Sequence, residues 1–148
     1  GIQQLLDTAS AQAAPGAEAK AITLTVEPTD LTARFDPKWT AEALYNLVDN
    51  AVKYTPAGGA VTLRAVGYEL FCRVDVTDTG PGIPESEQAR IFQRFYRSPS
   101  ASEAEGVGIG LYLARQIAAG QGGYLKVTSR PGEGSTFSLF LPRAEERT

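Results

Sequence analysis

The 148-residue chain has no histidine, no methionine, one cysteine and one tryptophan. The missing histidine weighs most, because it removes the commonest metal ligand and the commonest general base together. That argues against zinc centres and Ser-His-Asp hydrolysis. The lone cysteine, Cys72, cannot form an internal disulfide. It falls in the strand-like run FCRVDVTD, where a buried, inert thiol is expected, in keeping with a reducing, cytoplasmic setting. Basic residues number 14 against 17 acidic ones, interspersed, for a net charge of −3. No concentrated basic stripe exists, so no nucleic-acid partner is expected. No apolar run approaches the roughly 20 residues of a membrane-spanning helix, and no signal-peptide pattern opens the chain. This stretch is therefore expected to make no direct membrane contact. The leading Gly1 and the lack of methionine suggest a piece excised from a longer protein.

What is present suffices for one core and not comfortably for two: 43% of the residues are hydrophobic. A single, monomeric domain over 1–148 is the expectation. Residues 2–13 predict a helix that stops before the breaker pair Pro15-Gly16. AITLTVE (21–27) and LTARF (31–35) alternate as two short strands around Pro28-Thr29-Asp30. A helix over 39–54 ends at Thr55-Pro56, and AVTLRAV (60–66) and LFCRVDVTD (70–78) form a hairpin. A Gly/Pro-punctuated stretch comes next, with one amphipathic piece at 85–95. A helix over 109–119 and a hairpin of 124–129 with 135–141 complete the chain. Hairpins and helices without regular βαβ units predict an α+β fold, with helices on one face of a mixed, mostly antiparallel sheet and the other face partly solvated.

The helix WTAEALYNLVDNAVKY carries the most information. Leu44, Leu47, Val48 and Ala51 follow the spacing of a core-facing stripe, while Glu42, Asn46, Asn50 and Lys53 fall on the other side. Asparagine is a poor helix former, costing roughly half a kcal/mol or more against alanine. Two of them one turn apart suggest a task, although a solvated face that happens to hold asparagine is the plainer alternative.

Two further segments could meet a nucleotide. In 71–78 the residues Cys72, Val74, Val76 and Asp78 share one strand face, so Asp78 ends an apolar row. A carboxylate there is costly unless something donates hydrogen bonds to it. The amino group of a purine would do so, and a simple turn cap at Asp78-Thr79-Gly80 is the alternative. Gly106-Val107-Gly108-Ile109-Gly110 opens a helix, where backbone amides can approach an anion. It lacks the preceding strand and later acidic residue of a dinucleotide fold, and no GxxxxGK[ST] or protein-kinase signature occurs.

Taken in order, NLVDNAVKY, DTGPGIP, RIFQRFYR, GVGIGLYLAR and GEGSTF resemble the N, G1, F, G2 and G3 boxes of the ATP-binding catalytic domain of sensor histidine kinases. That superfamily includes gyrase, mismatch-repair and heat-shock chaperone ATPases. The resemblance covers about 20–142 and implies the Bergerat α/β sandwich, with an ATP lid over about 84–107. It implies that Asn50 holds Mg²⁺ on the phosphates of ATP, with Asn46 contacting phosphate or metal-bound water, Lys53 reaching the phosphates and Tyr54 lying against the nucleoside. Asp78 would accept the adenine amino group, with Gly80 and Gly82 clearing room. Gly106, Val107, Gly108, Ile109, Gly110 and Leu111 would bind phosphate at the helix start. Thr136 would support the adenine site, Arg94 or Arg97 would meet the terminal phosphate, and Phe92 and Phe95 would anchor the loop.

Hydrolytic members carry a glutamate one turn before the metal-binding asparagine. Here Asn46 stands there and cannot accept a proton at neutral pH. The resemblance therefore implies a donor of the γ-phosphate to a histidine on a separate dimerisation domain, and through it to a response regulator. The full-length protein would be anchored in the cell membrane with this domain in the cytoplasm. An ATPase clamp and a nucleotide sensor without transfer are the alternatives.

Overall fold

The computed structural model describes residues 1–88, 90–92 and 110–143. Its elements are α1 (Ile2–Ala19), β1 (Thr23–Val26), α2 (Pro37–Tyr54), β2 (Ala60–Gly67), β3 (Phe71–Asp78), the single turn α3 (Glu85–Gln88), α4 (Gly110–Gly120), β4 (Tyr124–Ser129) and β5 (Ser135–Pro142). The strands form one sheet in the order β1-β2-β3-β5-β4, with β1 parallel to β2 and every other pair antiparallel. The α+β expectation with a mixed sheet holds. Among the described residues no helix is long and apolar enough to cross a membrane.

Alternation sorts the two sheet faces. Val61, Leu63, Val74, Val76, Phe137, Leu139 and Leu141 point inward and join Leu44, Leu47, Val48 and Ala51 of α2 in the core. The outer face carries Thr25, Thr62, Thr77, Thr136 and Thr128 in one register row across all five strands. Beside that row, buried Asp75 accepts a hydrogen bond from Ser138 Oγ at 2.7 Å and pairs with Arg73 Nε at 2.9 Å.

α2 begins where the side chain of Asp36 accepts from the Trp39 amide at 3.0 Å, with Pro37 in the first turn. At its far end Lys20 Nζ donates to the carbonyls of Val52 (2.8 Å) and Lys53 (2.9 Å), placing a cation where the helix dipole is negative. Gln121, just past α4, donates to Thr40 Oγ1 at 2.8 Å and so ties α4 to the start of α2.

Three expectations are corrected. α1 does not stop at residue 13 but runs through Pro15-Gly16 to Ala19. Its buried stripe of Ile2, Leu5, Leu6, Ala9 and Ala13 continues to Ala17, so burial against the rest of the helix layer overrides the breakers. The hairpin expected from 21–27 and 31–35 does not form, because β1 pairs with β2 and residues 31–35 are not a strand. Instead this segment crosses the sheet end, where Thr32 O accepts from Cys72 Sγ and Pro142 O from the Arg34 amide. The helix expected over 85–95 is one turn, Glu85–Gln88, followed by turn residues 90–92. Cys72 is buried as expected, and burial pushes its thiol up, with Arg143 opposing.

Pro15 cannot donate to the carbonyl of Ala11 and crowds the preceding turn, at an interior-helix cost of about 3 kcal/mol in the worst case. Its side chain is exposed, so nothing in the core depends on it. Pro15→Ala should raise the unfolding free energy by about 1–3 kcal/mol in urea denaturation. An unchanged midpoint would show that α1 carries no such strain.

Candidate nucleotide-binding site

The C-terminal end of β3, the last turns of α2 and the first turn of α4 meet at one end of the molecule. Asp78 closes the inner row of Cys72, Val74 and Val76, each fully buried, and is itself only 7% exposed. Two backbone amides hold one of its oxygens: Gly80 N at 2.9 Å and Ser135 N at 3.2 Å, both to Oδ1. Burial pushes its carboxyl above the ordinary carboxylate range, and the two amides pull it partly back.

The glycines of the following loop have different reasons. Gly82 has φ +78°, and a Cβ there would lie 2.0 Å from the carbonyl oxygen of Arg130, so the loop can press onto the β4–β5 turn only with glycine. Further bonds fix that contact: Gly132 N to Pro81 O at 2.6 Å and Ile83 N to Ser129 Oγ at 2.7 Å. Gln88 Nε2 also bridges the carbonyls of Ile83 and Ser129, each at 2.9 Å. Gly80 needs no positive φ. Its missing Cβ leaves room beside Asp78 Oδ1 and Tyr54 O, each 3.1 Å from where that atom would stand.

Asn46 and Asn50 lie on one side of α2, both half-buried. The start of α4 covers that side, and a Cβ on Gly110 would touch the Asn46 side chain at 3.8 Å. Asn46 Nδ2 is a buried donor without a partner. Leaving such a group unpaired costs about 1–3 kcal/mol, so the free fold holds a hydrogen-bond donor there that an acceptor could satisfy. Among the described residues no group of three His, Cys, Asp or Glu side chains could hold a metal ion. A hard cation here would therefore rest on an asparagine oxygen and the phosphates of the nucleotide, a donor set that suits Mg²⁺.

Lys53 pairs with Asp49 at 3.0 Å, and both are substantially exposed. A surface pair of this kind is worth about 0–1 kcal/mol, so Lys53 can exchange it for another anion at little cost. The Tyr54 carbonyl borders Gly80, and Leu111 packs on the core from α4. Phe92 is buried with its ring edge-to-face on Phe137 at 6.1 Å, anchoring the chain as it leaves α3. The expected contributions of Arg94, Phe95, Arg97, Gly106, Val107, Gly108 and Ile109, and most of the lid, lie outside the described residues.

The structure does not bring Thr136 to Asp78. Thr136 faces the other side of the sheet, where its Oγ1 lies 3.1 Å from Thr77 Oγ1. Ser135 stands opposite Asp78 in the register and donates its amide. Sequence reasoning also missed Thr55, which is fully buried with an unpartnered Oγ1, and Lys20, which caps α2. The alternation that placed Phe137 in the core would have put Ser135 beside Asp78. No local signal points from Lys20 to a helix end 32 residues away.

Over residues 35–145 the chain matches the family described as histidine kinase-, DNA gyrase B- and HSP90-like ATPase. It is 44% identical over 117 residues to the adaptive-response sensory kinase SasA of a Synechococcus species, covering 78% of this chain and 31% of that protein. It is 39% identical over 147 residues to the sensor protein DivL of Caulobacter vibrioides, covering 98% of this chain and 19% of that one. The chain thus spans a third or less of these relatives. Among solved structures it resembles a mycobacterial sensor histidine kinase, MprB, with a TM-score of 0.82 at 27% identity, covering 97% and 96% of the two chains. Full-length ShkA in complex with AMPPNP also gives a TM-score of 0.82, at 30% identity, over 98% of this chain and 31% of that one. The carboxylate at the end of β3, the asparagine face of α2 and the glycine-led α4 thus stand in a chain that belongs to the histidine kinase, gyrase and chaperone ATPase family, as an ATP-binding histidine kinase catalytic domain.

Proposed function

We propose that this chain holds Mg²⁺-ATP and donates its γ-phosphate to a histidine on a separate dimerisation domain, from which a response regulator takes it. The chain supplies no acceptor of its own, since it has no histidine. Asp78 Oδ2 accepts the adenine amino group, and Asn46 Nδ2 donates to a phosphate oxygen. Asn50 offers its side-chain oxygen to the cation, and Lys53 releases Asp49 to meet the phosphates. Arg94 or Arg97 would meet the terminal phosphate, and Gly106 to Ile109 would bind phosphate. The cation, when bound, neutralises charge on the phosphate oxygens.

The observation that carries this reading is Asn46. It stands one turn before Asn50, where a hydrolase needs a carboxylate, and its buried amide can give a proton but not take one. Glu42, a further turn away, is exposed. The carboxylate nearest on this face, Asp49, is paired with Lys53 rather than standing one turn before Asn50, so on this reading bound ATP waits for a nucleophile. Phosphoryl transfer asks mainly for position and charge stabilisation, which these groups provide.

Two variants test it. Asn50→Ala should leave metal-free ATP binding within about twofold while removing about tenfold or more of the gain from Mg²⁺, read by calorimetry with and without the metal. Transfer of labelled phosphate to a histidine-bearing dimerisation domain supplied in trans should fall with it. Multiple-turnover release of phosphate without that domain, unaffected by changes at Asn46, would instead mark an ATPase.

Asp78→Asn should lower ATP affinity by about a hundredfold or more, because it turns a donor toward the adenine amino group and removes a charge-assisted bond. It should not lower the stability of the free domain at pH 7. A carboxyl raised by burial contributes stability that is present below the ordinary carboxylate range and lost as pH rises through the raised value. The free wild-type domain should therefore gain on the variant as pH falls from the raised value to the ordinary carboxylate range, with no further gain below it, and melting curves across pH would show it. Near-native ATP binding by Asp78→Asn would overturn the adenine assignment.

A further inference from the structure

Thr55 follows α2, is 0% exposed, and its Oγ1 is buried with no hydrogen-bond partner. Among the described residues, Asn46 Nδ2 is the other buried side-chain polar atom in this state, and the nucleotide accounts for it. Thr55 has no such account, because its oxygen is too deeply enclosed for a ligand to touch. The surroundings say what it serves. The three heavy atoms nearest the position of a Cβ on Gly80 are all oxygens: Asp78 Oδ1 and Tyr54 O at 3.1 Å and Thr55 Oγ1 at 3.4 Å.

A carboxylate and a carbonyl are acceptors only, and the hydroxyl has a single proton for both. Asp78 Oδ1 already takes the Gly80 and Ser135 amides, and the Thr55 hydroxyl beside it makes no direct bond to either acceptor, a buried polar group left without a partner. One water resolves it by donating to Asp78 Oδ1 and Tyr54 O and accepting from Thr55. That gives it three partners, the usual number for a buried water. It also explains a glycine at position 80 with an ordinary φ, since any side chain there would intrude on the same space.

We propose that Thr55, the Tyr54 carbonyl and Asp78 together hold one buried water over Gly80. Through it, Thr55 is a positioning residue that fixes the Asp78 carboxylate for a purine bearing a 6-amino group. This inference rests on reading Asp78 as the acceptor of the base. With the water in place, Oδ1 receives three donors, the carboxylate plane is set, and Oδ2 is offered in one direction. Without the Thr55 hydroxyl the water loses a partner, the carboxylate is less firmly held, and discrimination between adenine and hypoxanthine weakens.

The test uses the 1–148 chain and calorimetric affinities for ATP and ITP, which differ at the 6-position of the base. Thr55→Val, equal in shape but without the hydroxyl, should bind ATP about tenfold more weakly while its affinity for ITP changes little, so the ATP:ITP ratio falls. Thr55→Ser should restore the ratio to within about twofold. A role in folding alone would move both affinities together or only the melting temperature, and that result overturns the proposal. Should Thr55→Val fail to fold, Thr55→Ala decides: it removes the hydroxyl without adding an atom beside Asp78, and an unchanged ATP:ITP ratio there overturns the proposal, whereas a lowered one supports it. Asp78→Asn separates the two levels of inference. If it abolishes ATP binding while Thr55→Val leaves the ratio intact, only the role of Thr55 falls. If Asp78→Asn itself binds ATP normally, the underlying reading of Asp78 falls with it.

Discussion

The structure turns on how the apolar stripe of α2 seats against the inner face of the sheet. Leu44, Leu47 and Val48 are fully buried and Ala51 nearly so. Burying each of the three larger side chains is worth about 1.5–3 kcal/mol. The two asparagines on the same helix cost roughly half a kcal/mol each in propensity, so the stripe sets the rotation of the helix and carries the asparagines with it. That rotation turns Asn46 to the start of α4 and sets Thr55 down beside Gly80 and the end of β3. Asp36 at one end and Lys20 at the other fix where the helix starts and stops, and hence how far along the sheet the asparagines stand.

The same geometry leaves the site short of partners. Asn46 Nδ2 is buried without a partner, and Asp78 carries a desolvated carboxyl at the end of an apolar row. The unpaired amide alone costs the free fold about 1–3 kcal/mol, and the desolvated carboxyl adds to that cost. A ligand that meets these groups recovers the cost only when bound, and binding stabilises the folded state by linkage. If Asp78 accepts the base, stability and affinity part company there: the carboxyl that weakens the empty domain is the one that would recognise the ligand.

Much of this is legible in the chain. The stripe of α2, the alternation of β2, β3 and β5, and the carboxylate ending the β3 row come from periods of 3.6 and 2. The failures share a cause, which is that local pattern does not report distant partners. Pro15-Gly16 is a genuine breaker pair, yet Ala13 and Ala17 bury together and the helix continues through it. Residues 21–27 alternate as a strand should, but their partner is β2, in parallel and 37 positions on (Thr23 opposite Ala60), not the neighbouring segment. Thr136 misses the site by a single residue, and in a strand one residue is the whole difference between faces. Lys20 reaches carbonyls 32 and 33 positions away, and nothing in its own neighbourhood announces it.

The choice of asparagine at position 46 bears on more than hydrolysis. A serine or water nucleophile must lose a proton as it attacks, so a site built for either needs a base nearby. A neutral imidazole attacks through a ring-nitrogen lone pair and can shed its proton afterwards. If the acceptor is a histidine, a donor domain without a base loses nothing in transfer and is protected from losing ATP to water. Placing the nucleophile on another domain then makes the encounter itself the control point. On that reading the nucleotide side could remain fully assembled, with the Asn46 donor satisfied by phosphate, and still do nothing until an imidazole arrived.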